Sequence, residues 1–73
     1  MPVKRIDVHY GGHIYSVGSR ELADMQAEVE RAMADGGGWL IVNDGEGERR
    51  DAHLFVAPGT PIALIPIPLP PTA

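Results

Sequence analysis

Two adjacent glycines set between two alternating runs constrain this chain most. Ile6, Val8 and Tyr10 alternate with Asp7 and His9; Gly11 and Gly12 follow, and His13 to Val17 continue. Alternation of apolar and polar residues is the period of a half-buried strand, and Gly-Gly supplies the positive φ angles that a two-residue hairpin turn needs. The pattern also selects a register. A two-residue turn pairs Tyr10 with His13, Val8 with Tyr15 and Ile6 with Val17, gathering them on one mostly apolar face. Arg5, Asp7, His9, Ile14 and Ser16 take the other face. A three-residue turn pairs His9 with His13 and scatters the apolar set. A one-residue slip turns every side chain to the opposite face, so the first register is the expected one.

A helix is expected next. Ser19 can offer an N-cap oxygen to free backbone N–H groups, and Glu21 falls in the first turn, where the helix dipole favours negative charge. Leu22, Met25, Val29 and Met33, with Ala32 beside them, recur at helical spacing and form one apolar stripe. Arg20 with Asp24, and Arg31 with Asp35, stand four residues apart as candidate surface ion pairs. Gly36, Gly37 and Gly38 stop the helix. Trp39 to Val42 read as a short apolar strand, Asp44 to Asp51 as a charged loop, and Leu54 to Val56 as another strand. Ile62 to Ile65 can close the sheet, with Pro66 and Pro68 confining that strand to an edge or ending it. The expected fold is α+β, a small single domain over residues 1–66 in the order β-β-α-β-β(-β). One helix packs on a mostly antiparallel sheet. Residues 67–73 are expected as a proline-rich tail, extended from Pro68 to Pro71.

The segments Leu22-Ala23-Asp24-Met25-Gln26, Gly38-Trp39-Leu40-Ile41-Val42 and Phe55-Val56-Ala57-Pro58-Gly59-Thr60-Pro61-Ile62 resemble a group of small uncharacterised actinobacterial domains. Those have a hairpin, a helix ending in a glycine turn, an aromatic-bearing strand, a polar loop and a proline-flanked turn before the last strand. The resemblance spans most of the chain and implies the same architecture. It implies no activity. The proline-dense end departs from the group's pattern.

Composition excludes several classes of function. With 73 residues and no cysteine, the chain can form neither disulfides nor thiolate metal sites. Small scaffolds lacking such staples are often completed by a second subunit, so a homodimer or higher homo-oligomer is expected, and a further protein partner is possible in kind. The net charge of −4 and six scattered basic residues oppose nucleic-acid binding, which draws on phosphate neutralisation. Pro61 to Pro71 is too short, and too broken by proline, to span a bilayer. No hydrophobic signal core follows Lys4 and Arg5. No membrane association is expected, and the cytoplasm is the simplest location.

No motif specifies a chemistry. The favoured register puts His9 and His13 on opposite faces, and His53 is distant in sequence, so no metal site is expected. Asp44-Gly45-Glu46-Gly47-Glu48 only faintly resembles a calcium loop, because the sixth and twelfth positions hold Arg49 and Phe55. Gly36 to Gly38 lead into a strand, not into a helix N-terminus that could cradle phosphate. Ser16, Ser19, Thr60 and Thr72 lie in no nucleophile elbow. Neither catalytic residues nor cofactors are assigned.

Contact residues are more suggestive. Tyr10, Tyr15 and Trp39 combine an apolar body with a polar tip, as binding hot spots often do. Tyr15 and Trp39 read most simply as core, and Tyr10 as a rim residue. Tyr10, His13 and Trp39 form the candidate ligand or partner contact. Ile62, Leu64, Ile65, Ile67 and Leu69 form a candidate interface, because an apolar run without polar alternation must be covered by something. The leading functional expectation is a non-catalytic, self-associating interaction module. The alternative is a nucleotide or metabolite binder with its site at a subunit interface; an enzyme ranks behind both.

Overall fold

A computed structural model describes residues 3–45 and 49–69. The two alternating runs form β1 (Val3–Tyr10) and β2 (His13–Gly18). Gly11 and Gly12 turn between them with φ of 59° and 83°. The register is the expected one: Tyr10 opposes His13, Val8 opposes Tyr15, and Ile6 opposes Val17.

The helix α1 (Leu22–Ala34) turns its stripe inward as expected. Met25 is fully buried, and Leu22, Val29, Ala32 and Met33 pack against the core. Its start differs from expectation. The N-cap is Glu21, with extended backbone and no side-chain cap. Ser19 lies two residues too early; it takes a left-handed φ of 60° to reverse the chain out of β2. Arg20 therefore also precedes the helix, and helical i,i+4 geometry does not apply to it. It pairs with Glu28 at 2.8 Å instead of Asp24. Asp35 is the C-cap, and its backbone N–H bonds the Arg31 carbonyl; no Arg31–Asp35 ion pair forms among the described residues. The stop is a Schellman arrangement. Gly37 N–H donates to the Ala32 carbonyl at 2.8 Å and Gly36 N–H to that of Met33 at 3.2 Å.

Three more strands complete an antiparallel sheet: β3 (Gly38–Asn43), β4 (Asp51–Val56) and β5 (Ile62–Pro68). The spatial order is β4-β3-β2-β1-β5. β5 occupies an edge, as its prolines require. Pro66 and Pro68 are two residues apart, so both ring nitrogens can turn to the unpaired side. The strand runs past Ile65 and includes Ile67 and Pro68, which oppose Arg5 and Val3 across a register shift. The expected extension of Pro70 and Pro71 lies outside the described residues.

The sheet is folded over on itself. β2 and β3 share a single pair, Ser16 with Asn43. Laid flat in these registers, Tyr10 and Phe55 would lie seven residues apart along the strands, roughly 23 Å. Instead the Tyr10 hydroxyl donates to the Phe55 carbonyl at 2.7 Å. The β3–β4 ribbon thus swings across the β5-β1-β2 part. A short turn closed by Thr60 N–H to the Ala57 carbonyl, 2.9 Å, leads from β4 into Ile62, the partner of Tyr10. Leu40, Val42, Leu54 and Val56 from the ribbon join Ile6, Val8 and Val17 from the other strands in one core, with Met25 of α1 among them. Burying each such side chain contributes about 1.5–3 kcal/mol.

Trp39 is not core, contrary to expectation; it is 64% exposed. Gly38 explains why. A Cβ there would lie 2.9 Å from the Ala32 Cβ, so β3 passes close to α1 at a residue without a side chain. That contact points Gly38, Leu40 and Val42 inward and leaves Trp39 and Ile41 outside.

Candidate functional site

Alternation along the ribbon gives β3 and β4 a second apolar surface facing away from the core. Trp39 opposes Phe55, and Ile41 opposes His53. The Trp39 and Phe55 rings meet edge to face with centroids 5.1 Å apart, an arrangement favoured by their quadrupoles. Ile41 is 51% exposed and Phe55 44%. Phe55 is seated on Gly37: a Cβ at Gly37 would collide with the Phe55 Cζ. Gly37 also holds a φ of 148° that L side chains rarely adopt. The helix stop and the aromatic pair therefore depend on the same glycine.

Hydrogen-bond alternation shows how the ribbon's outer edge is disposed. Asp44 N–H donates to the Arg50 carbonyl at 2.8 Å, marking those two as a hydrogen-bonded pair. Antiparallel ladders alternate bonded and non-bonded pairs. Asp51, His53 and Phe55 accordingly direct their backbone groups away from β3, toward the free edge. The Tyr10 hydroxyl bonds the Phe55 carbonyl there. Nearby, Asn43 Oδ1 accepts from the Arg50 N–H at 2.9 Å and from the Gly45 N–H at 3.3 Å, while Arg50 pairs with Asp44 at 3.1 Å. Glu46, Gly47 and Glu48 of the calcium-like stretch lie outside the described residues.

The structure brings together two of the three expected contact residues. Tyr10 and His13 face each other across the hairpin turn. With His9, Ile14, Pro61 and Ile62 they border an open cleft of about 580 Å³. Trp39 stands apart on the outer ribbon face, where its ring meets that of Phe55, whose carbonyl accepts from Tyr10. His9 opposes Ile14 and His13 opposes Tyr10, so the two imidazoles start from opposite faces, as the register implied. Among the described residues no three metal-ligating side chains converge.

The β5 residues divide by side. Ile62 and Leu64 are half-buried against the chain's own core, and Ile67 is also half-buried. Ile65 and Leu69 remain 41% and 49% exposed. A second, mostly apolar cleft of about 480 Å³ lies between α1 and β5, bordered by Val3, Leu22, Ala23, Pro66 and Pro68.

Sequence reasoning missed Phe55 and Ile41 as contact residues. The available signal was that Leu54-Phe55-Val56 and Leu40-Ile41-Val42 are apolar at consecutive positions. A strand of that kind needs cover on both faces, and here the core supplies it on one. Among the described residues no helix is long and apolar enough to cross a membrane. No protein-family model, curated protein or solved structure matches this chain.

Proposed function

We propose that this protein is a non-catalytic interaction module that self-associates through the outer face of its β3–β4 ribbon. The observation that carries the reading is the exposed group Trp39, Ile41 and Phe55, adjacent on one two-stranded ribbon. Tryptophan is prominent among interface hot spots, and contiguous apolar groups on a soluble surface mark contact sites. The ribbon's other face is core, so the patch is preorganised and ordering it on binding costs little. Lack of cysteine suits a reducing compartment, and the reading places the module in the cytoplasm.

The test is sedimentation velocity from about 1 μM to about 1 mM, the range in which a weak dimer assembles, alongside native mass spectrometry. Wild type should move from monomer to a defined oligomer. Trp39→Ser with Ile41→Thr, both at exposed strand positions, should stay monomeric with an unchanged fold. A wild-type chain that remains monomeric throughout would sink the proposal.

A second reading is favoured by the Tyr10–His13 cleft, whose volume lies in the range of small-molecule sites. It makes the chain a metabolite or nucleotide binder. Ligand-induced NMR shifts confined to His9, Tyr10 and His13 would support it, and an unresponsive spectrum across a broad metabolite panel would end it.

A further inference from the structure

The size of the ribbon patch limits what can cover it. Aromatic side chains bring about 150–250 Å² each. At the exposures of Trp39, Ile41 and Phe55, the outward face therefore offers roughly 300 Å² of apolar surface per copy. Two such faces pressed together would bury only about 600 Å² in total, well short of the ~1,200 Å² at which specific interfaces begin. A symmetric face-to-face dimer is too small. If each face instead covers an equal area of some other segment of the partner, two reciprocal contacts bury about 1,200 Å² and reach that threshold.

The chemistry of the face restricts the segment. Trp39, Ile41 and Phe55 carry no charge, and the two rings stand edge to face; the aromatic part of the face, with His53 beyond it opposite Ile41, favours an uncharged apolar segment. Exposed aromatic surfaces accept proline-stiffened extended segments, which lose little entropy on binding. The chain contains such a segment. No residue from Pro58 to Ala73 is charged, and prolines occupy positions 66, 68, 70 and 71. Within it, Ile62, Leu64 and Ile67 are half-buried in the chain's own fold, whereas Leu69, just beyond β5, is 49% exposed.

We infer that the Trp39–Phe55 face binds the Leu69-Pro70-Pro71 end of a second copy, and that two copies exchange these ends reciprocally. This inference rests on the self-association reading and names its occupant. One ring contact is weak alone; the second becomes intramolecular once the first has formed, and the two reinforce each other.

The test uses the full chain and a synthetic peptide of residues 66–73. Trp39 is the only tryptophan, so its fluorescence reports the face directly. Added to the dilute full chain, the peptide should shift the emission to the blue saturably. A peptide with serine at positions 69, 70 and 71 should bind about tenfold more weakly or worse. Full-length Pro70→Ser/Pro71→Ser should sediment as a monomer where wild type is a dimer, with an unchanged circular dichroism spectrum showing an intact fold. If the peptide gives no response and that variant still dimerises, the exchange is wrong while self-association stands. If an unrelated proline-rich peptide binds equally well, the occupant is a foreign proline-rich partner and the second-copy assignment falls. A wild-type chain that stays monomeric and ignores the peptide overturns both proposals.

Discussion

Replacing Tyr10 with phenylalanine removes one oxygen from the contact that keeps the sheet folded over. The ring stays, half-buried between β1 and the ribbon, so apolar burial hardly changes. The 2.7 Å bond from the hydroxyl to the Phe55 carbonyl is lost. A typical intramolecular hydrogen bond contributes about 0.5–1.5 kcal/mol net, and a buried acceptor left empty costs more. The Phe55 carbonyl faces the open edge of β4, where water can replace the hydroxyl. The expected loss is therefore about 1 kcal/mol, within the ordinary range. In a domain of this size that lowers the melting temperature by about 4–8 °C. Urea unfolding followed by Trp39 fluorescence at fixed protein concentration measures it, with an unchanged slope showing that the unfolded state is unaltered. Tyr15→Phe is the control, since the Tyr15 hydroxyl makes no hydrogen bond among the described residues. Equal midpoints for Tyr10→Phe and wild type would refute the latch and leave the core alone to hold the fold.

Gly37→Ala should destabilise by about 2–3 kcal/mol through its disfavoured φ and the collision with Phe55; it should also change the Trp39 emission maximum, and a silent spectrum would show that Phe55 does not rest there. Ser19→Gly should stabilise by about 0.5–1 kcal/mol, because relief of the left-handed strain exceeds glycine's added freedom in the unfolded chain; thermal unfolding reads the sign. Met25→Ala should cost about 2–5 kcal/mol, a large share of the about 5–15 kcal/mol available to a small domain, and circular dichroism should show partial unfolding at 37 °C.

The parts of the fold governed by short-range rules were legible. Alternation plus Gly11-Gly12 fixed the β1–β2 register, since any slip would have exposed Ile6 and Val8. The stripe from Leu22 to Met33 placed α1, and the three glycines placed its end. What failed depended on contacts between distant segments. Nothing near Ser19 shows that the chain must reverse before the helix begins, so the cap, and with it the Arg20 pair, was misplaced. The outward turn of Trp39 follows from the approach of Gly38 to Ala32, a contact between helix and strand. The fold-over depends on Tyr10 reaching Phe55, 45 positions away, and on a single pair joining β2 to β3. For the candidate surface, Trp39 was singled out by its type, whereas its neighbours Ile41 and Phe55 emerge only when the ribbon's parity is known.

The pairing of β1 with β5 has a kinetic consequence. β1 lies between β2, its immediate neighbour in sequence, and β5, more than fifty residues on. The hairpin can form within microseconds, but its second side stays unsatisfied until the chain closes that long loop. The entropy of closing it must be met before the contacts reward it. Folding should accordingly be limited by the arrival of β5, at rates of milliseconds to seconds typical of sheets built from remote pairings. Until then the β1 edge is open, and an unpaired strand edge is most exposed to association during that interval.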